Sequence, residues 1–389
     1  MWSLTDKRSR KLAIFGVILV AALALCCAPT NAMAVESEPN LTEAQSAMVI
    51  DAQGNVLYEK NPNEEINMAS VTKVMTAVVA LESGVSLDTV CTLSAPALDE
   101  NAMVAGYQSG DTSTLRDLLR AALVYSANDG AYEAAVAVAG SEQAFVQMMN
   151  DKAAELGMNN THFENSHGLD AEGHHSTVHD LTILARYAMT KHPFIADTVR
   201  QTEVTVPIGG NNVTLPTVDT LLYSYPGLLG IKTGTGNHVT AFLGCARRNG
   251  VTLYTSVLGC QTKEGRFADT ASLLDWAFGT YDAHSYATPR LREGSRTFAY
   301  NFAFSCVVSP DSYATGLSWP DGGEISCKRI VPRDRLFAPG DTVEVRQWTQ
   351  GEHIVSTCSY SARNQLCRTV SGFGLNDTIF PWLSVTQAA

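Results

Sequence analysis

Residues 67–77 read NMASVTKVMTA. Between positions 71 and 81 apolar residues recur at the three- and four-residue spacing of a helix, and Gly84 follows as a stop signal. The spacing predicts a helix over 70–83, in which Ser70 and Lys73 lie one turn apart on the same face. A hydroxyl beside an amine at a helix start is either a nucleophile with its base or a cap followed by a surface lysine. This stretch alone favours the second interpretation, so the rest of the chain has to decide.

The composition limits the class of protein. The chain has 389 residues, of which 45% are apolar, and this is enough for two or three domains with sizeable cores. The formal net charge is −12, so there is no basic stripe to neutralise phosphates. We therefore expect no nucleic-acid partner.

The N-terminus predicts export. Four Lys and Arg residues between positions 7 and 11 precede an uninterrupted apolar run over 12–28, and Ala32-Met33-Ala34 matches a cleavage site. We predict a signal peptide over 1–34 and a protein of the cell envelope, secreted or associated with the outer face of the cytoplasmic membrane. The alternative is an uncleaved anchor, because the apolar run is only slightly short of a spanning helix.

Hydrophobic periodicity predicts an α+β fold. Alternating residues around a Gly-Asn turn indicate a hairpin over 48–60. We predict helices over 70–83, 114–125, 141–156, 181–190 and 267–278, and strands over 204–208, 240–248 and 253–260. This order is typical of a largely antiparallel sheet with helices, which we place in a first domain over 35–284. Alternating segments separated by turns predict a smaller, β-rich C-terminal domain over 285–389.

The cysteines favour disulfides in the last quarter of the chain, since export makes them accessible to oxidation. We predict the pairs Cys358–Cys367 and Cys306–Cys327, although four cysteines allow three pairings.

Two further motifs change the interpretation of Ser70. YSANDGA places Ser126 and Asn128 after the second predicted helix, and GIKTGTG places Lys232, Thr233 and Gly234 in a glycine-bounded strand. Each motif alone is an ordinary turn or strand. In the order S-x-x-K, S-x-N and K-T-G, however, they form the set found in penicillin-recognising serine enzymes. The joint pattern predicts a serine nucleophile.

The residue types fit that chemistry. A serine hydroxyl needs a base, and Lys73 is that base only when burial and a nearby positive charge keep it neutral. Lys232 supplies that charge and remains positive to attract a substrate carboxylate. Ser126 passes a proton to the departing amine, and Asn128 holds Lys73 and the substrate amide in register.

The K-T-G strand completes the predicted site. Thr233 adds a hydroxyl to the carboxylate site, and the oxyanion rests on the backbone N–H groups of Ser70 and Thr235. Gly234 lacks a Cβ, so the acyl chain can lie against the strand as an added β-partner.

The chain from about residue 48 to 278 resembles the serine-type D-Ala-D-Ala carboxypeptidases, the low-molecular-weight penicillin-binding proteins. The resemblance includes ASVTKVMTA, SANDGA, GIKTGTG and the stretch ENSHGLDAEGHHSTVHDLTILAR. It implies a serine β-lactamase/D,D-peptidase-like (transpeptidase-like) fold and removal of the terminal D-alanine from peptidoglycan pentapeptide stems. It also implies acylation of Ser70 by β-lactams. No cofactor or metal is expected, and peripheral association with the cell membrane or cell wall is a further expectation.

Three features depart from the family pattern. VDTLLYSYPG stands where the family often has an Asn-rich segment, and Thr235 stands where a His or Tyr is common. The C-terminus lacks the basic amphipathic helix with which many members bind the membrane.

Three other functions remain open. A class A β-lactamase needs a second carboxylate, for which Glu155 in ELGMN is the candidate. A zinc peptidase is suggested by the cluster His167, Asp170, His174, His175, His179 and Asp180, where His175 and His179 have helical ligand spacing. An inactive wall-binding scaffold requires a defect in the serine motifs. Arg266 either binds a distal carboxylate or is an exposed arginine at a helix start, so it stays outside the predicted site.

Overall fold

The computed structural model describes residues 38–237, 239–287, 296–300, 304–331, 336–337, 340–362 and 367–368. The predicted signal peptide over 1–34 lies outside these residues.

A five-stranded antiparallel sheet forms the centre of the fold. Its order is β2-β1-β9-β8-β7, with β1 at Ser46–Asp51, β2 at Val56–Lys60, β7 at Leu228–Thr235, β8 at Thr240–Arg248 and β9 at Val251–Cys260. The predicted hairpin is β1 and β2. The predicted strands over 240–248 and 253–260 are β8 and β9. Because the K-T-G segment lies on β7, the motif occupies an edge of this sheet.

The helices described up to residue 280 lie between these strands in sequence and after the last of them. They are α1 (Lys73–Glu82), α2 (Leu115–Arg120), α3 (Asn128–Ala139), α4 (Glu142–Leu156), α5 (Val178–Lys191), α6 (Pro193–Thr198), α7 (Leu221–Ser224) and α8 (Lys263–Thr280). A 3-10 turn at Ala69–Thr72 leads into α1, and a π turn at Ala121–Tyr125 follows α2.

The two faces of the sheet contact different helices. Alternate residues of a strand point to opposite faces. Met48 and Ile50 of β1 pack in the same core as α1 and α5, whereas Ala47 and Val49 pack with the apolar residues of α8. The result is a helix–sheet–helix arrangement in which α1 is buried along residues 73–80. The mixed helix and antiparallel-strand content is the predicted α+β class.

Two small two-stranded antiparallel sheets lie beside this core. One pairs β3 (Val90–Thr92) with β4 (Thr112–Thr114), and the other pairs β5 (Glu203–Ile208) with β6 (Asn211–Pro216). The β5 strand matches the predicted strand over 204–208.

The C-terminal part is built from strands. The structure gives β10 (Asp282–Ala287), β11 (Arg296–Tyr300), β12 (Phe304–Pro310), β13 (Ala314–Ser318), β14 (Ile325–Ile330), β15 (Leu336–Phe337), β16 (Thr342–Gln350), β17 (His353–Ala362) and β18 (Cys367–Arg368). Five of these form a second sheet in the order β11-β12-β17-β16-β14. No helix occurs among the described residues after 280, as the alternating sequence predicts. The boundary between domains at 284/285 stays a prediction.

One predicted disulfide differs from the structure. Cys358 is a buried free thiol on β17, where its sulfur lies 3.6 Å from the carbonyl oxygen of Ser312, so the pair Cys358–Cys367 is absent. The inward position of Cys358, in an apolar cluster with Val355 and Tyr360, explains why sequence proximity did not produce a bridge. The side chain of Cys306 lies outside the described part, so the pair Cys306–Cys327 stays a prediction.

Within the described ranges, none of the helices combines the length and the hydropathy needed to cross a bilayer.

Candidate active site

Ser70 lies on a tight turn instead of a regular helix. The turn is held by the side chain of Asn67, which accepts the N–H of Ala69 at 2.7 Å, and by the hydroxyl of Thr72, which donates to the carbonyl oxygen of Ala69 at 2.7 Å. Ala69 has a φ of +47°, which is unfavourable for a residue with a Cβ. This local strain presents Ser70 as a partly exposed residue at the start of a buried helix.

The amine of Lys73 has three partners. Its Nζ lies 2.8 Å from Ser70 Oγ and 2.7 Å from Asn128 Oδ1, and it also donates to the carbonyl oxygen of His167. Two of these partners are carbonyl oxygens, which only accept. A neutral amine has two N–H donors and one lone pair, so the lone pair is left to accept the hydroxyl proton of Ser70.

The surroundings favour that neutral amine. Complete burial lowers the pKa of Lys73 well below its usual range, and the charge of Lys232 lowers it further, against an opposing effect of Asp129. Lys73 is thus arranged as a base for Ser70.

Ser126 lies in the turn between the π segment and α3, and Asn128 begins α3. Ser126 is buried with a φ of +72°, and Asn128 is the first residue of α3, where its Nδ2 donates to the carbonyl oxygen of Met103 at 3.0 Å. Among the described residues we find no hydrogen bond from the Ser126 hydroxyl to Ser70 or Lys73. The sequence predicted only a turn here, and α3 was missed.

The loop at 165–169 packs against the turn that carries Ser70. The three sequence motifs gave this loop no role in the serine site. Its Gly168 has a φ of +85°, and a Cβ there would lie 2.1 Å from the carbonyl oxygen of Ala69 and 2.9 Å from Ser70 Cα. Burial lowers the pKa of the His167 ring to about 3, so this ring is neutral, while its backbone carbonyl accepts from Lys73. The glycine therefore lets the loop reach the nucleophile turn.

The K-T-G strand supplies the facing wall. Lys232 and Thr233 are buried, and Thr235 is exposed. A Cβ on Gly234 would lie 2.7 Å from the carbonyl oxygen of Met68 and 3.1 Å from Ala241 Cβ. The structural reason for this glycine is therefore the close approach of β7 to the nucleophile turn. The sequence predicted only a need for space beside an acyl chain.

The charge of Lys232 depends on its charged neighbours. Burial and the charge of Arg266 lower its pKa to about 7, and Asp219 raises it in part. A carboxylate bound beside this amine would favour its protonated form. The Lys232 Nζ donates to the carbonyl oxygen of Thr233 at 3.0 Å.

Arg266 and Asp219 are the charged groups that the sequence-predicted site left out. Arg266 is buried, donates to the carbonyl oxygen of Gly234, and lies 3.0 Å from Thr235 Oγ1. The alternative of an exposed arginine is therefore wrong. Burial lowers the pKa of Arg266 to about 10, so it stays charged at neutral pH. The sequence did offer one indication that Arg266 belongs to the site, because Arg266 follows β9, which is the second strand from β7. Its position at the start of a helix made an exposed arginine an equally good interpretation.

Asp219 lies in the segment that departs from the family pattern. It is buried, its Oδ1 accepts the N–H of Leu221 at 3.1 Å, and its Oδ2 has no hydrogen-bond partner in the described part of the chain. Burial raises the pKa of Asp219 to about 6, against the opposing effects of backbone N–H groups and of the Lys232 and Arg266 charges. The Arg266 Nε is also buried without a partner among the described residues. Two cations and one carboxylate thus surround the end of β7.

Glu155 does not belong to this site. It pairs at 2.6 Å with Lys152, and Lys152 also pairs with Glu82 at the end of α1. Glu82 is nine residues after Lys73, about 13 Å along the helix. The carboxylate that a class A β-lactamase would need is therefore at the far end of α1 from Ser70.

The histidine cluster is divided between separate contacts. His175 precedes α5 and pairs through its backbone with His162, so His175 and His179 do not share a helical face as their spacing suggested. His174 is buried with its Nε2 2.7 Å from Thr72 Oγ1. Among the described residues, no group of three or more His, Cys, Asp or Glu side chains could hold a metal ion.

Comparisons with known proteins agree on one family. Residues 32–262 match the peptidase S11 family, described as D-alanyl-D-alanine carboxypeptidase. The chain is 31% identical to the D-alanyl-D-alanine carboxypeptidase DacF of Bacillus subtilis over 269 residues, which cover 66% of this chain and 69% of the relative.

Solved structures give the same result. Penicillin-binding protein D2 of Listeria monocytogenes, in its cefotaxime-bound form, is 34% identical and covers 62% of this chain and 100% of its own, with a TM-score of 0.56. The D-alanyl-D-alanine carboxypeptidase of Mycobacterium tuberculosis is 32% identical and covers 63% of this chain and 94% of its own, with a TM-score of 0.59. The predicted transpeptidase-like fold is confirmed.

Proposed function

Because the chain belongs to the D-alanyl-D-alanine carboxypeptidase family, we propose that it removes the terminal D-alanine of peptidoglycan pentapeptide stems through an acyl-enzyme on Ser70. The observation that carries this proposal is the contact between the buried Lys73 amine and Ser70 Oγ at 2.8 Å. The same nucleophile would be acylated by β-lactams, which the cefotaxime-bound structure of the Listeria relative supports.

Acylation begins with proton transfer from Ser70 to Lys73. The Ser70 oxygen attacks the carbonyl carbon between the two D-alanines, and the backbone N–H groups of Ser70 and Thr235 hold the oxyanion. When the C–N bond breaks, the proton on Lys73 passes through Ser126 to the leaving amine. Asn128 keeps the Lys73 amine aligned during both transfers. Water then hydrolyses the ester and restores Ser70.

The substrate's carboxylate is the group that the β7 wall recognises in this proposal. Arg266 is charged, Thr235 Oγ1 lies beside it, and a bound anion would favour the protonated form of Lys232. Thr233 adds a hydroxyl to this wall. A free terminal carboxylate on the substrate is therefore required, which is the property of a carboxypeptidase.

D-alanine release tests the function. Purified protein of residues 35–389 should release D-alanine from a pentapeptide ending in D-Ala-D-Ala, and its C-terminal amide should be cleaved at least about a hundredfold more slowly because a charged pair is lost. Equal rates of D-alanine release from the acid and of D-alaninamide release from the amide, or no cleavage of the acid, would contradict the proposal.

An Asp219→Asn variant should show how the carboxylate site depends on pH. Asparagine keeps the acceptor for the Leu221 N–H but removes a negative charge that supports protonation of Lys232. Since the pKa of Lys232 is about 7 in the wild type and falls in the variant, loss of kcat/KM with rising pH should begin at lower pH. The ratio of wild-type to variant kcat/KM should therefore grow from about pH 6 to about pH 8. Parallel profiles would show that Asp219 does not act on Lys232.

We also propose export, through a signal peptide over 1–34 and a mature chain with domains over 35–284 and 285–389. Membership of a family that acts on the peptidoglycan stem supports a location in the cell envelope, where that peptide is found. Peripheral association with the cell membrane or the cell wall remains part of this proposal. Mass spectrometry of the exported protein should find Val35 as its first residue.

A further inference from the structure

The segment before β1 is bound to the start of α8, the helix that carries Arg266. Asp269 lies one turn after Arg266 and is buried. Its carboxylate accepts the backbone N–H groups of residues 42, 43 and 44 at 2.8, 2.8 and 2.6 Å, and the hydroxyl of Thr42 at 3.0 Å. Burial raises the pKa of Asp269, but these hydrogen bonds outweigh it and hold the pKa below its ordinary value. A charged carboxylate therefore fixes residues 42–44, which we call the N-terminal strap, against α8.

Glu43 of the N-terminal strap binds the first turn of α8 in return. Its Oε2 accepts the backbone N–H groups of Gln261 at 3.1 Å and Thr262 at 2.8 Å, and its Oε1 accepts the Thr262 hydroxyl at 2.8 Å. Thr262 is the N-cap of α8, where its hydroxyl accepts the N–H of Gly265 at 2.8 Å. Glu43 therefore fixes the residue that begins the helix, and a carboxylate is favoured there by the helix dipole.

The contact continues from Glu43 to Arg266. A Cβ on Gly265 would lie 2.1 Å from the carboxylate carbon of Glu43, so this side chain packs on the backbone of the residue that precedes Arg266. The N–H of Arg266 donates to the carbonyl oxygen of Thr262 at 3.3 Å, and its guanidinium lies 3.0 Å from Thr235 Oγ1. A continuous series of contacts thus joins the N-terminal strap to the carboxylate wall of β7.

The direction of the Arg266 side chain matters for carboxylate recognition. A guanidinium presents its N–H donors in a fixed plane, so its affinity for a carboxylate depends on orientation as well as on charge. The Nε of Arg266 is buried and has no hydrogen-bond partner among the described residues, so one donor is not engaged by them. A shift of the first turn of α8 would move the backbone from which this side chain extends.

We propose that Glu43 is a positioning residue for the carboxylate site, and that it acts through the N-cap of α8 by holding Arg266 where its guanidinium meets the substrate's terminal carboxylate. This inference rests on the proposed function. It extends recognition of the free carboxylate to a segment that lies outside all three serine motifs. Asp269 supports the same arrangement, because it fixes the backbone of Glu43.

Two matched changes separate positioning from charge. Glu43→Gln keeps the size of the side chain but replaces one acceptor oxygen with an NH2 group beside the N–H donors of Gln261 and Thr262. Glu43 is only partly buried, so this variant should keep a near-native melting temperature. The control is Glu264→Gln, which removes the same negative charge from an exposed residue of the same helical turn. The charge of Glu264 raises the pKa of Arg266, so the control also tests a purely electrostatic effect.

The substrates are the pentapeptide that ends in D-Ala-D-Ala and its C-terminal amide. In Glu43→Gln, kcat/KM for the acid should fall about tenfold, mainly through a higher KM, while kcat/KM for the amide stays within about twofold of the wild type. Glu264→Gln should keep both values within about twofold, because an exposed charge contributes little.

Three results would overturn the positioning role of Glu43. Equal losses on acid and amide in Glu43→Gln would mean that the residue only stabilises the fold. An equally large, acid-selective loss in Glu264→Gln would assign the effect to charge, and unchanged kinetics in Glu43→Gln would mean that Arg266 is held without the N-terminal strap. Failure of the proposed function is distinguishable, because the wild type would then not cleave the acid.

Discussion

A Lys73→Met variant should be acylated by penicillin at least about a thousandfold more slowly than the wild type. Methionine has nearly the volume of the buried lysine stem, so the packing of α1 is preserved while the lone pair that takes the Ser70 proton is removed. Removing the amine also leaves the carbonyl oxygen of His167 and Asn128 Oδ1 without their donor. The rate of labelling by a fluorescent penicillin, followed over time on a denaturing gel, measures this loss.

The matched control is Lys263→Met, which removes an exposed lysine at the start of α8. This variant should be labelled at the wild-type rate. A Lys73→Met variant that keeps its near-native melting temperature and is labelled within about tenfold of the wild type would show that another group deprotonates Ser70.

A Gly168→Ala variant should lose acylation by about a hundredfold or more, although it changes no group that takes part in the chemistry. The added Cβ would overlap the carbonyl oxygen of Ala69, 2.1 Å away, and this carbonyl belongs to the turn that carries Ser70. Relief of the overlap has to move either the 165–169 loop or the nucleophile turn. A displacement of about 1 Å at a reacting atom is enough for such a loss.

The Gly140→Ala variant is the control for the backbone conformation. It places an alanine at a positive φ without an overlap between its Cβ and a neighbouring atom. Gly140 has a φ of +77°, close to the +85° of Gly168, but nothing lies within 4 Å of the position that a Cβ would take there. Both variants should lose roughly 1–2 kcal/mol of unfolding free energy from the left-handed conformation. Only Gly168→Ala should also lose acylation. If both variants are labelled at the wild-type rate in their folded state, close packing of the loop on Ala69 is not needed for the reaction.

Elements with a clear hydrophobic period could be predicted from the sequence. The strands β8 and β9 and the helix α4 agree with their predicted ranges to within two residues, because β8 and β9 are apolar runs buried on both faces and α4 buries one face. The helix α3 was missed because Ser126 and Asn128 have turn composition. There the tertiary contacts of Asn128 and Asp129 with the Met103 segment outweigh local propensity.

The site could be predicted only where its residues belong to short motifs. The motifs identified Ser70, Lys73, Ser126, Asn128 and the K-T-G residues, and the structure brings Lys73 into contact with Ser70 and Asn128. Asp219 and Gly168 have no place in those three motifs. Gly168 matters because two segments approach each other closely there, and Asp219 matters because its charge acts on residues of distant segments. Neither effect leaves a periodic pattern in a single sequence.

The central claim is that Ser70 is a nucleophile activated by Lys73. Its most direct test is to incubate purified protein of residues 35–389, beside a Ser70→Ala variant, with a fluorescent penicillin and to map the adduct by peptide mass spectrometry. We predict one adduct on the peptide that contains Ser70 in the wild type, and none in the variant. An adduct on another residue, or equal labelling of the folded variant, would contradict the account.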